Sequence, residues 1–323
     1  MKRRHLLQAA SAAIAMPGLA LAQTSYPVRS MRYIVPVSAG GGSDMIARVV
    51  TERWGKVLGQ SFVVDNQSGG GGVVACQLTA RAPADGYTLL QGYVATHGTT
   101  PATRRVNYDA VADFTPIGMI GATPNVLAVN ANVPVKDIKE FIDYVKRQPG
   151  KLSYGSAGQG SLTHLTMELL KQETGMFLLH IPYRGIAPAI NDLLGGQTQA
   201  IFPGLAAALP HLRSGRMRAL AVTGKQRSPQ LKDVPTMEEV GFKGFDAMQW
   251  YGVVGPAGMP PDIVRRLNET QVAVLKAPEL AEKLAGEAVE PWPMTPEQFG
   301  QYIKADVARW TALAKARNIR LDE

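Results

Sequence analysis

Apolar positions near the start of the chain fall into short runs, each closed by a glycine-rich turn and followed by helical spacing. Met31–Val37 reads as a strand that runs into Ser38, Ala39, Gly40, Gly41, Gly42, Ser43 and Asp44. Beyond it Ile46, Val49, Val50, Trp54, Val57 and Leu58 recur at the three-and-four interval of an amphipathic helix. Phe62–Asp65 is a second strand, and its exit, Asn66 to Gly72, opens a helix through Ala80. Asp85-Gly86 turns the chain into a third strand, Tyr87–Gly92. Strand, glycine turn and helix in alternation predict a parallel α/β sheet.

Thr115–Met119 and Val126–Val129 are extended apolar segments with a turn expected between them. The rhythm then restarts. A helix over Asp137–Arg147, a strand at Leu152–Gly155 and the flexible turn Ser156, Ala157, Gly158, Gln159, Gly160, Ser161 lead into a helix over Leu162–Thr174 with Ser161 as its cap. His180–Pro182, a helix near Ile186–Leu194, a strand Ala200–Phe202, a helix near Leu205–Ser214 and a strand Ala219–Val222 complete a second α/β unit. Trp250–Val254 returns as a strand, with helices near Pro261–Lys276 and Glu279–Ala285. Thr295-Pro-Glu-Gln298 opens the last helix as a capping box with Pro at its first turn. A second unit bracketed by the first and by a helical tail predicts a chain that crosses to a second lobe and returns. The ligand cleft is then expected between the lobes, where strand ends converge.

Charge first suggests a polyanion partner, since the formal net charge is +8. Lys2, Arg3 and Arg4, a mostly apolar run from Leu6 to Ala22 and the exit Ala20-Leu21-Ala22 describe an export leader over residues 1–22. The paired arginines admit twin-arginine as well as general secretory export. Removal of the leader leaves 31 basic and 26 acidic residues, a net of +5. Those cations are scattered, without the stripe that a nucleic-acid binder concentrates on one face. Past the leader, no apolar run reaches the roughly eighteen residues a membrane helix needs. A soluble exported protein is expected, periplasmic in a bacterium. The single cysteine excludes an internal disulfide framework and cysteine-rich metal sites.

The strongest chemical signals are the two glycine turns Ser38–Asp44 and Ser156–Ser161. Each sets backbone N–H groups at a helix start, where unpaired donors and the helix dipole favour an anion. Equally, both fit as tight α/β turns with no further role. Neither is a nucleotide loop, because a Gly-Lys-Ser/Thr ending and a Gly-x-Gly-x-x-Gly run are both missing. Asp44 reads as a helix-start carboxylate first and a ligand-orienting one second. His97, His164, His180 and His211 are never paired at a metal-binding interval. Ser156 is a poor nucleophile candidate, since Tyr154 stands where a nucleophile elbow has its first glycine. Cys76 reads as a small core residue, His164 as a packing or capping residue, and Arg184 with Asp192 as a structural ion pair.

In series, these motifs resemble a known family. Tyr26-Pro27, Ile34 through Asp44 with Ala47-Arg48, Ala84 through Leu90, Tyr154 through Ser161 with His164, and Pro182 through Gly185 match it in order. Leu193 through Gly196, Arg218 through Val222, Val234-Pro-Thr236 and Trp250 with Gly255 through Gly258 extend the match over nearly the whole chain. The chain is identified as a member of the Bug receptors, the TctC-like substrate-binding proteins of tripartite tricarboxylate transporters.

That resemblance implies an α/β, two-lobed type II periplasmic binding protein with Venus-flytrap closure, each lobe a mainly parallel sheet flanked by helices. Lobe 1 is expected over 23–124 and 250–323, and lobe 2 over 125–249. It implies a monomeric receptor without enzymatic activity, cofactor or metal, which captures a small carboxylate and delivers it to a membrane permease. A ligand-sensing partner of a sensor kinase is the alternative, and a hydrolase on the same fold a weaker one. The implied ligand contacts are Ser38, Ala39, Gly40, Gly41, Gly42, Ser43 and Asp44 from one loop. Ser156, Ala157, Gly158, Gly160 and Ser161 come from the other, with side chains of Thr96 and His97 added. Pro203 and Gly204 stand where many members carry an Asp, a departure that favours a neutral or purely acidic ligand over an amino acid.

Overall fold

The computed structural model describes residues 26–40 and 42–321, so the expected leader and Gly41 lie outside it. Two mixed sheets flanked by helices organise the chain. The first contains β1 (Met31–Val35), β2 (Phe62–Asn66), β3 (Thr88–Tyr93), β4 (Phe114–Pro124), β10 (Met248–Pro256) and β11 (Glu290–Pro291), in the order β11-β4-β10-β3-β1-β2. The second contains β5 (Val126–Asn130), β6 (Ser153–Ser156), β7 (Leu179–Pro182), β8 (Ala200–Ile201) and β9 (Met217–Val222), in the order β7-β6-β8-β5-β9.

Both sheets are mixed rather than mainly parallel. β1 runs parallel to β2 and β3, because helices make those crossovers. The return strand β10 enters between β3 and β4 and runs antiparallel to both. In the second sheet β6 is parallel to β7 and β8, whereas β5 is antiparallel to β8 and β9. The antiparallel strands are those that carry the chain between lobes, which helical periodicity along the sequence does not reveal.

A second expectation is also corrected. No turn separates Met119 from Val126: β4 continues to Pro124, and β5 of the other sheet starts at Val126. Residues 120–124 are all buried, so the crossing is a core strand rather than a linker. The chain therefore passes between sheets on Pro124–Val126 and returns between Val222 and Met248.

Local sequence explains the helices that flank the sheets. α1 (Gly42–Leu58) buries Ile46, Val50 and Trp54 against the first sheet. α2 (Val73–Ala80) begins after Gly69, Gly70, Gly71 and Gly72, all at positive φ. A wound segment, Ala95–Thr99, kinks at His97 and continues into α3 (Thr100–Thr103). α4 (Ile138–Lys146) is capped by Asp137, and α5 (Leu162–Thr174) by Ser161 as expected. α6 (Ile186–Leu194) and α7 (Leu205–Arg213) follow the glycines Gly185 and Gly204. α8 (Pro261–Leu275), α9 (Pro278–Gly286) and α10 (Pro296–Ala316) return to the first sheet, α10 with the full Thr295–Gln298 capping box.

Three apolar clusters hold this arrangement. Met31, Ile46, Trp54, Ile117 and Tyr251 pack one face of the first sheet, and Val126, Ile190, Ile201 and Leu205 one face of the second. The third is shared: Ile34, Cys76, Trp250 and Trp310 belong to the same cluster as Leu127, Phe141 and Leu165. Trp250 and Tyr251 are core residues at the strand that returns, and Cys76 is a buried one on α2.

Candidate ligand-binding site

The first glycine loop sits where β1 ends and α1 begins, and its side chains fix its shape. Asp44 is buried, and its Oδ2 accepts the amide of Gly40 at 3.0 Å and Arg48 Nε at 2.9 Å. Its Oδ1 accepts Asn66 Nδ2 at 3.0 Å, and the same nitrogen donates to the Val37 carbonyl at 3.1 Å. Burial pulls the Asp44 carboxyl upward, but the bonds from Arg48, Gly40 and Asn66 outweigh it and hold the group below its ordinary pKa. Asp44 is therefore a loop-shaping carboxylate whose acceptors are already engaged. Gln91 Nε2 fixes the next turn by donating to the carbonyl and hydroxyl oxygens of Ser43 at 2.8 and 2.7 Å. What remains at the surface is Ser38, Ala39 and Gly40, with the first-turn amides of Gly42 and Ser43 lacking an intrahelical acceptor.

The segment after β3 differs from expectation. Thr96 and His97 are both fully buried. The Thr96 hydroxyl donates to the Tyr93 carbonyl at 3.0 Å and accepts the Tyr93 amide at 3.1 Å. Its oxygen also lies 2.8 Å from His97 Nδ1. The His97 ring packs edge-on against Phe114, centroids 4.7 Å apart, and burial pushes its pKa down to about 3. These two side chains belong to the wall behind the site, because the kinked winding turns them inward.

Three threonines on that winding connect the glycine loops instead. A Cβ on Gly72 would collide with the Thr96 methyl and lie 3.2 Å from Pro36, so this glycine permits a close approach to the residue after β1. Thr100 Oγ1 reaches the Gly71 carbonyl at 3.4 Å. A Cβ on Gly160, from the second sheet, would lie 2.7 Å from Thr103 Oγ1. Thr96 and Thr100 thus pack on the Asn66–Gly72 loop, and Thr103 on the second-lobe loop. The sequence marks Asn66–Gly72 as a glycine turn that opens a helix, and only the packing places it on the same winding as the second-lobe loop.

The second loop is tied by its own side chains. Ser156 Oγ is 2.6 Å from His180 Nε2 and accepts the Gly158 amide at 3.1 Å. Thr163 Oγ1 accepts the Ala157 amide at 2.8 Å, and His164 Nδ1 accepts the Gly160 amide at 3.0 Å. Ser161 donates to the Gly158 carbonyl at 2.6 Å as it caps α5. His164 and His180 stack with centroids 3.9 Å apart, beneath Tyr154. Burial drives both histidines down, His164 to about 3 with help from its neighbour and His180 to about 4. His164 must be neutral, because its Nδ1 accepts the Gly160 amide. Several of the amides expected to face a ligand are therefore already satisfied, and the open ones lie at the first turn of α5.

Pro203 and Gly204 contribute backbone. The Pro203 carbonyl accepts the Val126 amide at 2.9 Å, and Gly204 pairs with Asn125 at the crossing. Asp192 accepts from Tyr183 Oη at 2.6 Å, while Arg184 is exposed, so the expected Arg184–Asp192 pair does not form.

One charged group here had no signal in the sequence. Glu287 follows α9, and its Oε2 lies 2.6 Å from where a Gly42 Cβ would stand. The next residue, Ala288, has φ 52° and is buried in the Val126–Leu205 cluster of the second lobe. A left-handed alanine seated in one lobe thus aims a carboxylate at the helix start of the other.

Two cavities of the described surface lie elsewhere. One of about 280 Å³ at the strand crossing is lined by Pro124, Lys225, Asp246, Met248, Glu290 and Trp292. A shallower groove of about 570 Å³ runs over α1 and β2 past Lys56 and Phe62. Neither is walled by the glycine loops Ser38–Asp44 and Ser156–Ser161.

A family model described as the tripartite tricarboxylate transporter family receptor, TctC, matches residues 46–319. The chain belongs to this family. Protein BugT of Bordetella pertussis is 34% identical over 325 residues, covering 99% of this chain and 100% of BugT. The solved structure of Rpa4515 of R. palustris with adipate is 38% identical, with a TM-score of 0.79 over 91% of this chain and 99% of that one. The periplasmic binding protein BugD is 34% identical, with a TM-score of 0.75 over 91% of this chain and 99% of that one. The receptor chain thus has the two-lobed α/β fold of periplasmic binding proteins. Among the described residues no helix is long and apolar enough to cross a membrane, and no cluster of three or more His, Cys, Asp or Glu could hold a metal.

Proposed function

We propose that this receptor captures a small carboxylate between its lobes and hands it to the permease of a tripartite tricarboxylate-type transporter. The observation that supports this reading is the approach of glycine-rich helix starts from both lobes, those of α2 and α5, to the one Thr96–Thr103 winding. Open amides at the first turns of α1 and α5 suit an anion, and each lobe supplies part of the seat. The adipate in Rpa4515 is a carboxylate of this class. Lobe 1 would comprise 23–124 and 250–323, and lobe 2 would comprise 125–249, so binding would draw the lobes together. The leader-like residues 1–22 would direct the chain to the periplasm.

Ser156 beside His180 is the one contact that invites a hydrolase reading. The serine is fully buried, holds the Gly158 amide, and faces an imidazole stacked on His164. That geometry supports a loop-shaping role and binding without turnover. Calorimetry of residues 23–323 with adipate, succinate and citrate tests the proposal. Saturable binding of at least one, with the carboxylate recovered unchanged, is expected. Absence of heat from all three, or conversion of any, would refute it.

A further inference from the structure

Asn125 stands between the last residue of β4 and the first of β5, at the crossing from one lobe to the other. Its backbone is fully committed. The amide donates to Thr223 Oγ1 at 2.9 Å, the carbonyl accepts the Thr223 amide at 2.9 Å, and the residue bridges to Gly204. Its side chain is the opposite case: 0% exposed, with neither Nδ2 nor Oδ1 hydrogen-bonded. Among the described residues only Gln271 shares that condition at both amide atoms. Gln271 lies inside the first lobe on α8, whereas Asn125 Oδ1 lies 3.9 Å from the Cβ position of Gly204 at the start of α7.

A buried carboxamide without partners is destabilising, and native proteins leave few such groups. A rigid backbone that holds one at the junction of two lobes is a site waiting for a polar partner. The chemistry of that partner follows from the side chain. A carboxamide both donates and accepts, so a bare carboxylate would satisfy Nδ2 and leave Oδ1 unpaired. A hydroxyl can serve both atoms.

We propose that Asn125 is a specificity-determining contact, which favours carboxylates bearing a hydroxyl over their unsubstituted counterparts. The inference rests on the carboxylate-receptor reading and adds to it a residue and a ligand group. Recognition of that kind is strong because an unmatched ligand leaves a buried amide unpaired.

Calorimetric titration with succinate and malate, which differ by one hydroxyl, tests it in the mature wild type, Asn125→Leu and Asn125→Ala. Wild type is expected to bind malate about tenfold more tightly, the effect of one well-made hydrogen bond. Both variants should lose that ratio while keeping their succinate affinity within about twofold. Thermal melts without ligand separate this from a structural role: loss of a partnerless amide in Asn125→Leu should not lower the midpoint. Equal binding of the two acids by wild type overturns the inference and leaves the receptor reading intact. So does a variant that weakens both acids alike, or one that melts markedly lower. Failure of wild type to bind either acid, or adipate, overturns both.

Discussion

Arg317, at the C-terminal cap of α10 in the first lobe, reaches Glu168 on α5 of the second, with its Nη2 2.8 Å and its Nε 2.9 Å from Oε2. The other oxygen of Glu168 accepts from Tyr154 Oη and Lys171 Nζ, so one buried carboxylate gathers groups from both lobes. Burial raises the Glu168 carboxyl, yet the bonds from Lys171, Tyr154 and Arg317 hold it below its ordinary pKa.

Arg317→Ala removes only the interlobe arm, since Lys171 still neutralises Glu168. A partly buried pair of this kind contributes on the order of 1 kcal/mol. The variant should widen the ligand-free molecule in small-angle X-ray scattering and speed ligand release roughly fivefold. Identical scattering and release rates would show that the pair does not hold the lobes together.

Much of this fold was legible because local signals and tertiary structure agree. Ser161 caps α5 and Thr295–Gln298 opens α10 as the sequence suggests, since those bonds form within one turn. The strand order was not legible. β10 inserts beside β3 and β4 through contacts between residues far apart in sequence, which no short window contains. The two glycine loops of the site were visible, while the inward turn of Thr96 and His97 depends on a kink. Glu287 and Asn125 gave no local signal, because each matters only through what the other lobe brings to it.

Gly158 tests the second loop. Its φ is 127°, which branched residues do not adopt, and a Cβ there would lie 3.2 Å from the Tyr183 carbonyl. Gly158→Val should distort the bonds to Ser156 and Ser161 and weaken carboxylate binding by more than about tenfold, with about 2 kcal/mol of lost stability. Unchanged calorimetric affinity in a folded variant would remove this loop from the site.

Glu287 tests the first loop from the opposite direction. Its carboxylate lies against Gly42, where an anionic ligand is proposed to sit, so the two charges repel. At partly exposed positions a few ångströms apart such repulsion is about 1 kcal/mol or more. Glu287→Gln keeps the shape and should tighten adipate binding roughly fivefold at low salt, with the gain shrinking as salt rises. Equal affinity for the two proteins in low-salt titrations would place the anion away from α1.

Acid should weaken the folded protein above the ordinary carboxylate range. His97, His164 and His180 are held at about 3, 3 and 4 when folded, against about 6.5 in an unfolded chain. Below pH 6.5 the unfolded state therefore binds more protons than the folded one, so the stability these neutral rings confer falls as pH drops. It is fully lost only below the folded values. Asp44 and Glu168, whose folded values are lowered, add the same sign of effect only near and below about pH 4. Asp306 and Glu290, whose folded values burial raises, act with the opposite sign, so comparison with His97→Phe, in which they are unchanged, isolates the imidazole's part. Urea midpoints should fall steadily from about pH 6.5 to 4.5, with fully buried His97 alone contributing up to about 1.4 kcal/mol per pH unit. In His97→Phe, which keeps an aromatic ring beside Phe114, that slope should decrease by the share of one group. A midpoint flat from pH 6.5 to 4.5, or a slope unaltered in His97→Phe, would mean that these imidazoles are solvated or charged when folded.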